Sequence, residues 1–238
     1  MTGSPSGTVS PVFVKVCGIT SEEDALLAVA MGADALGFVF APGSPRQLRP
    51  SAARDIVSRL PRGEVLTFGV FVDELPEKVV EVVNGVGLKG AQLHGREPLS
   101  DVRYVRKRVP IVFQGFHAGD PAIASAANGP ADAVLVDSAE PGSGRVFDWQ
   151  LAEGVPGGMR MVLAGGLTAD NVADAIERVR PWGVDVATGV EVSPGAGRKD
   201  PRKLRRFVEA AKSAGERLAT TGWTAGPDIP YDWQAEDA

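Results

Sequence analysis

Residues 13–40 read FVKVCGITSEEDALLAVAMGADALGFVF and contain one complete strand–helix–strand unit. The apolar, β-branched runs at Phe13–Val16 and Ala35–Phe40 predict two strands buried on both faces, as in a parallel sheet. Between them, Ser21 and the acidic residues after it predict the start of a helix, because a serine cap and first-turn carboxylates satisfy free backbone N–H groups. Gly32 predicts where that helix ends.

The same alternation continues along the rest of the chain. Further strands are predicted at Thr67–Phe71, Ala91–Leu93, Ile111–Phe113, Val134–Val136, Met161–Ala164 and Asp185–Ala187. Further helices are predicted at Ser51–Leu60, Pro76–Val83, Leu99–Arg108, Pro121–Ala127, Thr168–Val179 and Pro201–Leu218, with a weaker candidate at Trp149–Glu153. This order predicts an α/β fold, a single-domain (β/α)8 TIM barrel. A doubly wound open sheet is the alternative, although no G-x-G-x-x-G pattern follows the first strand.

The ends of the 238-residue chain differ from its middle. Residues 1–10 are rich in Ser, Thr, Gly and Pro and are expected to form a flexible N-terminal segment, followed by the barrel over residues 11–218. Residues 219–238 form a C-terminal extension with two Trp and one Tyr. Disordered segments are poor in aromatic residues, which favours an extension that packs onto another surface. That surface is either the barrel or a partner, and both alternatives stay open.

Composition excludes several classes of function. The chain has 25 Lys and Arg against 30 Asp and Glu, a net charge of −5, and so offers no basic surface for nucleic acid. Its apolar runs fall short of the ~18 residues that span a bilayer, and its start lacks the pattern of a secretory signal. Cys17 is the single cysteine, which excludes an intrachain disulfide and favours a reducing compartment. We therefore expect a cytoplasmic protein without nucleic-acid or membrane partners.

Candidate catalytic residues follow the predicted strands, because the active site of such a barrel lies at the C-terminal ends of its strands. Cys17 ends the first strand and is either a small buried side chain or a thiolate base. Asp137 ends the sixth and either caps the next segment or points into the mouth of the barrel. A thiolate and a carboxylic acid form a base and acid couple near neutral pH.

A phosphate site is predicted after the last two strands. Gly165 and Gly166 follow the seventh strand, and Thr188 and Gly189 follow the eighth. In this fold the loops at these positions often bind phosphate through backbone N–H groups, which glycine leaves accessible. Tight turns without a ligand are the alternative.

Other polar residues carry less specific signals. Arg46 follows a proline in a loop and either clamps a carboxylate or is solvated. His94 is either a donor to the substrate or a structural histidine. His117, Asp120 and Asp132 lack metal-ligand spacing, so no metal site is predicted.

A set of motifs resembles one enzyme family over about residues 13–212. They are, in chain order, Val14–Thr20, 32–40, Ser44–Arg46, Gly69–Asp73, Gln92–Gly95, Val136–Ser138, Ser143–Gly144, Phe147–Trp149, Leu163–Leu167 and Val184–Glu191. Together they resemble phosphoribosylanthranilate isomerase of tryptophan biosynthesis. The resemblance implies a cofactor-free Amadori rearrangement of a small phosphoribosyl substrate by a monomer or homodimer.

The resemblance also implies roles for the candidate residues. Asp137 would be the general acid that protonates the ribose ring oxygen, and Cys17 the general base that removes the C2 proton. Arg46 would face the anthranilate carboxylate. The 5′-phosphate would lie against residues of two loops, Gly165, Gly166, Thr188 and Gly189. His94, Asp185 and Glu191 match positions near the substrate, without a defined role.

Four features depart from the family pattern. The loop after Asp137 is about three residues shorter than usual, residues 193–200 are about two residues longer, and the C-terminal extension is added. In addition, Phe113–Gly115 stand where the family usually has a Lys-Ala pair after the fifth strand. They leave two alternatives open. One is a paralogous isomerase acting on a related aminated ribose phosphate, although Cys17 stands where the histidine-pathway enzyme has Asp. The other is a catalytically idle barrel that binds a ligand or partner.

Overall fold

The computed structural model describes residues 12–126, 129–137 and 159–221. Eight parallel strands close into a barrel in which neighbours follow chain order. They are β1 Phe13–Cys17, β2 Ala35–Val39, β3 Leu66–Phe71, β4 Gly90–Leu93, β5 Ile111–His117, β6 Ala133–Asp137, β7 Met161–Leu163 and β8 Gly183–Val186. The closure of β8 onto β1 confirms the predicted (β/α)8 barrel and excludes the doubly wound open sheet.

Helices alternate with these strands. They are α1 Glu22–Ala30, α2 Pro50–Val57, α3 Pro76–Val86, α4 Leu99–Arg106, α5 Ala122–Ala126, α6 Val172–Val179 and α7 Pro201–Thr220. The candidate helix at Trp149–Glu153, the N-terminal segment 1–10 and most of the extension 219–238 lie outside the described residues. None of the helices in the described ranges has the length and apolar character needed to cross a membrane.

Several boundaries differ from the sequence prediction, and two of the differences have clear local reasons. Strand β5 continues past Phe113 to His117, because its later residues still pair with β6 up to the His117–Asp137 register. Helix α6 begins at Val172 and not at Thr168. The N–H of Thr168 donates to Asn171 Oδ1 at 2.8 Å, and Asn171 Nδ2 donates to the carbonyl of Gly166 at 3.0 Å, so a side-chain-bonded turn precedes the helix.

The barrel interior is layered by the alternation of side chains along each strand. An aromatic floor formed by Phe13, Phe68, Phe113 and Trp182 closes the N-terminal end, with centroid separations of 4.5 Å for Phe13–Trp182 and for Phe68–Phe113. One layer higher the side chains are polar, and Lys15 stands in register with Asp185. The apolar core therefore supports a polar layer at the C-terminal end of the barrel, where ligands bind in this fold.

Candidate active site

Cys17 lies at the end of β1, with 8% of its surface exposed. Its sulfur approaches β2 closely, because Gly37 has no side chain there. A Cβ atom on Gly37 would lie 2.8 Å from Cys17 Sγ and 3.0 Å from Lys15 Nζ. The thiol and the ammonium therefore share the space above one glycine.

A buried ion pair lies directly below the thiol. Lys15 Nζ is 2.9 Å from Asp185 Oδ1, and the lysine side chain is fully buried. Burial lowers the pKa of Lys15, but Asp185 and Cys17 outweigh it and hold that pKa above its ordinary value. Lys15 is therefore a cation inside the barrel.

The charges around Cys17 act in opposite directions. Burial raises the pKa of the Cys17 thiol above its ordinary value, against the lowering effects of Lys15 and Lys199 and with the help of Asp185. Lys199 reaches the backbone here, where its Nζ donates to the carbonyls of Cys17 at 2.7 Å and Ala187 at 3.2 Å. At neutral pH the free protein thus holds Cys17 mainly as a thiol, with the thiolate as a minor form.

Asp137 lies at the end of β6, and β7 and β8 separate that strand from β1 in the barrel. Like Cys17, it has 8% of its surface exposed. Its Oδ2 lies 3.8 Å from His94 Nε2. Burial, followed by Lys15 and His117, lowers the pKa of His94 to about 4. His94 is therefore neutral near pH 7, and the contact is not an ion pair.

The other side of the His94 ring is fixed by Gln92. Gln92 Nε2 lies 2.8 Å from His94 Nδ1. If the glutamine donates, the imidazole carries its proton on Nε2. Within the described ranges His94 Nε2 is buried without a hydrogen-bond partner, which suits it to bond a substrate atom.

The predicted phosphate residues form one cavity. Its lining includes residues 164–167 after β7, residues 185–189 of β8 and the following turn, and Asp137. Gly165 and Gly166 have φ of +88° and +65°, a backbone shape that glycine adopts without strain. A Cβ on Gly189 would lie 1.9 Å from the carbonyl oxygen of Leu167, so the two loops touch at this glycine.

Arg46 is held by a buried carboxylate of the protein. Its Nε donates to Glu191 Oε1 at 2.6 Å, and its Nη2 donates to Glu191 Oε2 at 3.0 Å and to Thr188 Oγ1 at 2.8 Å. Three of the five guanidinium N–H groups are thus used among the described residues. The remaining Nη1 edge is the part that a substrate carboxylate can bind.

Glu191 is fully buried and organises the segment before α7. Besides Arg46, it accepts from the N–H of Gly195 at 2.9 Å and lies 3.6 Å from Lys199 Nζ. Arg46 and Lys199 lower the pKa of Glu191 against its burial. The lengthened stretch 193–200 therefore folds back onto the site, whereas the shortened loop after Asp137 lies outside the described residues.

The structure brings all the predicted site residues to one end of the barrel, and their roles stay predictions. It also adds Lys15, Lys199 and Gln92, which the sequence reading did not single out. Lys15 had a signal, since it lies two residues before Cys17 within an apolar strand and so shares its face. Lys199 had none, because only the folded chain shows which carbonyls it reaches.

Known proteins resemble this chain over most of its length. The family model described as N-(5′-phosphoribosyl)anthranilate (PRA) isomerase matches residues 14–210. The N-(5′-phosphoribosyl)anthranilate isomerase of Desulforudis audaxviator is 47% identical over 206 residues, covering 85% of this chain and 98% of the relative.

Solved structures agree in fold. A phosphoribosyl anthranilate isomerase in complex with reduced 1-(o-carboxyphenylamino)-1-deoxyribulose 5-phosphate has a TM-score of 0.73 at 39% identity, covering 85% of this chain and 99% of that one. Monomers generated from the dimeric enzyme of Thermotoga maritima have a TM-score of 0.74 at 38% identity, with the same coverage of 85% and 99%.

Proposed function

Since the chain belongs to the family of N-(5′-phosphoribosyl)anthranilate isomerases, we propose that Cys17 and Asp137 perform the proton transfers of that reaction. The protein is an aldose–ketose isomerase of tryptophan biosynthesis. It converts N-(5-phosphoribosyl)anthranilate into 1-(2-carboxyphenylamino)-1-deoxyribulose 5-phosphate by an Amadori rearrangement.

The reaction needs one acid and one base. Asp137, in its protonated form, donates its proton to the ribose ring oxygen, and the ring opens to an iminium ion. The positive iminium acidifies the neighbouring C2–H bond, so the thiolate of Cys17 can remove that proton. The electron pair moves to the nitrogen, and the resulting enolamine tautomerises to the ketone.

One observation carries this assignment: a thiol and a carboxyl group flank the same glycine-lined cavity. Asp137 lines it directly, and Ala187, which also lines it, packs against the small buried cluster that contains Cys17. Both side chains are inside the barrel mouth but not sealed from it, at 8% exposure each. Holding the ribose between two such groups makes both proton transfers intramolecular.

The remaining residues bind the two ends of the substrate. The 5′-phosphate lies against the backbone of Gly165, Gly166 and Gly189 and beside the Thr188 hydroxyl, which accepts from Arg46. The Nη1 edge of Arg46 binds the anthranilate carboxylate. His94 Nε2 bonds a substrate oxygen, and Asp185 and Glu191 act through Lys15 and Arg46. A relative bound to a reduced carboxyphenylamino-deoxyribulose phosphate supports a ligand with these two charged ends.

Replacing Asp137→Asn tests the acid. The amide keeps the shape of the carboxyl group but has no acidic proton, so kcat should fall by about 10²–10⁴-fold. The measurement is a coupled fluorescence assay with freshly prepared phosphoribosylanthranilate. Asp132→Asn is the matched control, because Asp132 lies at the other end of β6, where it accepts from the N–H of Val112. A full-rate Asp137→Asn enzyme would assign the ring-opening proton to another group.

We further propose that the enzyme acts in the cytoplasm as a monomer or a homodimer. The dimeric enzyme of Thermotoga maritima supports the second state. Light scattering of the purified chain during size-exclusion chromatography distinguishes the two, and cell fractionation tests the compartment.

A further inference from the structure

We propose that Lys15 is a positioning residue for Cys17, whose buried ammonium stabilises the thiolate that takes the C2 proton. This rests on the proposed role of Cys17 as the base. It adds a second residue of β1 to the reaction, one that touches the reacting sulfur and not the substrate.

The geometry places the two groups together. Lys15 and Cys17 are two residues apart on one strand, so their side chains point to the same side. A side chain on Gly37 would collide with both Sγ and Nζ, which shows that the two atoms occupy adjacent positions. Asp185, on the strand paired with β1, anchors Nζ from the opposite side at 2.9 Å.

The other charged groups that face Cys17 do not replace Lys15. Lys199, from the segment before α7, donates to the backbone carbonyl of Cys17. Its Nζ also lies 3.6 Å from the carboxylate of Glu191, which is bound to Arg46. Asp185 is negative and opposes a thiolate. Lys15 is therefore the cation directed at the sulfur.

A cation at this position has a specific effect on the proton transfer. When Cys17 takes the C2 proton, an S–H bond forms, a C–H bond breaks, and the electron pair moves to the iminium nitrogen. Before that step the sulfur must carry a negative charge in a buried site, where an unpaired charge is unfavourable. Lys15 supplies the opposite charge, and Asp185 keeps the lysine protonated after the sulfur is neutralised.

The same ammonium also acts on the neighbouring histidine. Lys15 contributes to lowering the pKa of His94, after the larger effect of burial. One buried cation thus favours the charged form of the base and the neutral form of the imidazole next to the acid.

Because Cys17 is the single cysteine of the chain, its ionisation can be measured directly. The rate of alkylation by iodoacetamide as a function of pH gives the thiol pKa without substrate. In Lys15→Met that pKa should rise by about one to three units, and the rising limb of the kcat–pH profile should shift with it. Lys15→Arg keeps the charge and should restore part of the effect.

Lys212→Met is the matched control. Lys212 lies 2.5 Å from Asp34 in a partly buried ion pair, and it also donates to the carbonyl of Val12 just before β1. Its removal costs an ion pair at the opposite end of the barrel and should leave the thiol titration unchanged.

A folded Lys15→Met protein with the wild-type thiol pKa would overturn the proposal. If Lys15→Met does not fold because Asp185 is left unpaired, Lys15→Met with Asp185→Asn removes both charges. The thiol pKa of this double variant should still lie above the wild-type value, and a value at or below it would be equally decisive against Lys15. Full activity in Cys17→Ala would instead refute the proposed base while leaving the titration result intact, so the two failures are distinguishable.

Discussion

His94 is held neutral by its surroundings, and this has a thermodynamic consequence. Its folded-state pKa is about 4, below the ordinary 6.5. Between these two values the unfolded chain binds a proton that the folded chain does not, so the free energy of unfolding falls as pH decreases from 6.5 towards 4. The loss reaches about 3 kcal/mol near the lower limit.

Urea unfolding at several pH values measures this contribution. His94→Gln should be less sensitive to pH in that range than the wild type, because the residue whose pKa is lowered by burial is then absent. Parallel pH slopes for His94→Gln and wild type would show that other groups cause the acid sensitivity.

Single residues also show where sequence reasoning reaches its limit. Cys17 and Asp137 were predictable, because strand ends follow from apolar runs and the fold puts those ends together. The binding of Arg46 to Glu191 was not, since their 145-residue separation leaves no periodic signal. Lys15 was missed for a different reason, because its two-residue spacing from Cys17 was a signal, but it lies inside an apolar run that already predicted a strand.

At the scale of elements, the contact between the loops after β7 and β8 shapes the cavity proposed to bind phosphate. Gly189→Ala would place a Cβ 1.9 Å from the Leu167 carbonyl oxygen and force these loops apart. Loss of one or two charge-assisted hydrogen bonds to phosphate, about 1.5–3 kcal/mol each, should raise KM about tenfold or more. Because the phosphate is remote from the reacting atoms, kcat should change less.

Steady-state kinetics and competitive inhibition by inorganic phosphate test this prediction. Gly85→Ala, in α3, is the control, since its added Cβ meets nothing closer than Arg54 Nη2 at 3.5 Å. An unchanged inhibition constant in Gly189→Ala would remove this loop contact from phosphate binding.

Element types were predicted better than element ends. The eight strands follow from apolar content, which burial on both faces requires. The start of α6 was predicted four residues early, because the Thr168 and Asn171 bonds that replace the first turn depend on side-chain orientation. The end of β5 was predicted too early, at the last residue of the apolar run, Phe113, whereas Gln114 to His117 continue to pair with β6.

At the scale of the whole molecule, α7 packs against the start of β1, so the last and first described elements of the chain are in contact. Phe207 of this helix is fully buried, and Gly215 packs against Val12 next to β1. Phe207→Ala should lower the free energy of unfolding by about 3–5 kcal/mol, because it removes a large core side chain and leaves a cavity.

Chemical denaturation measures that loss, with Arg205→Ala on the exposed face of the same helix as the control. The activity per folded molecule should stay near the wild-type value, because α7 supports the barrel from outside. A large fall in kcat for folded Phe207→Ala protein would mean that this helix also sets the geometry of the site.

The aromatic floor beneath the polar layer closes the N-terminal end of the barrel, so the described part of the barrel opens at its C-terminal end. In the proposed mechanism the substrate enters and the product leaves through the same opening, and both carry the phosphate that we propose the glycine loops bind. The product must therefore leave before the next substrate binds, and we expect the ketose product to inhibit the enzyme competitively.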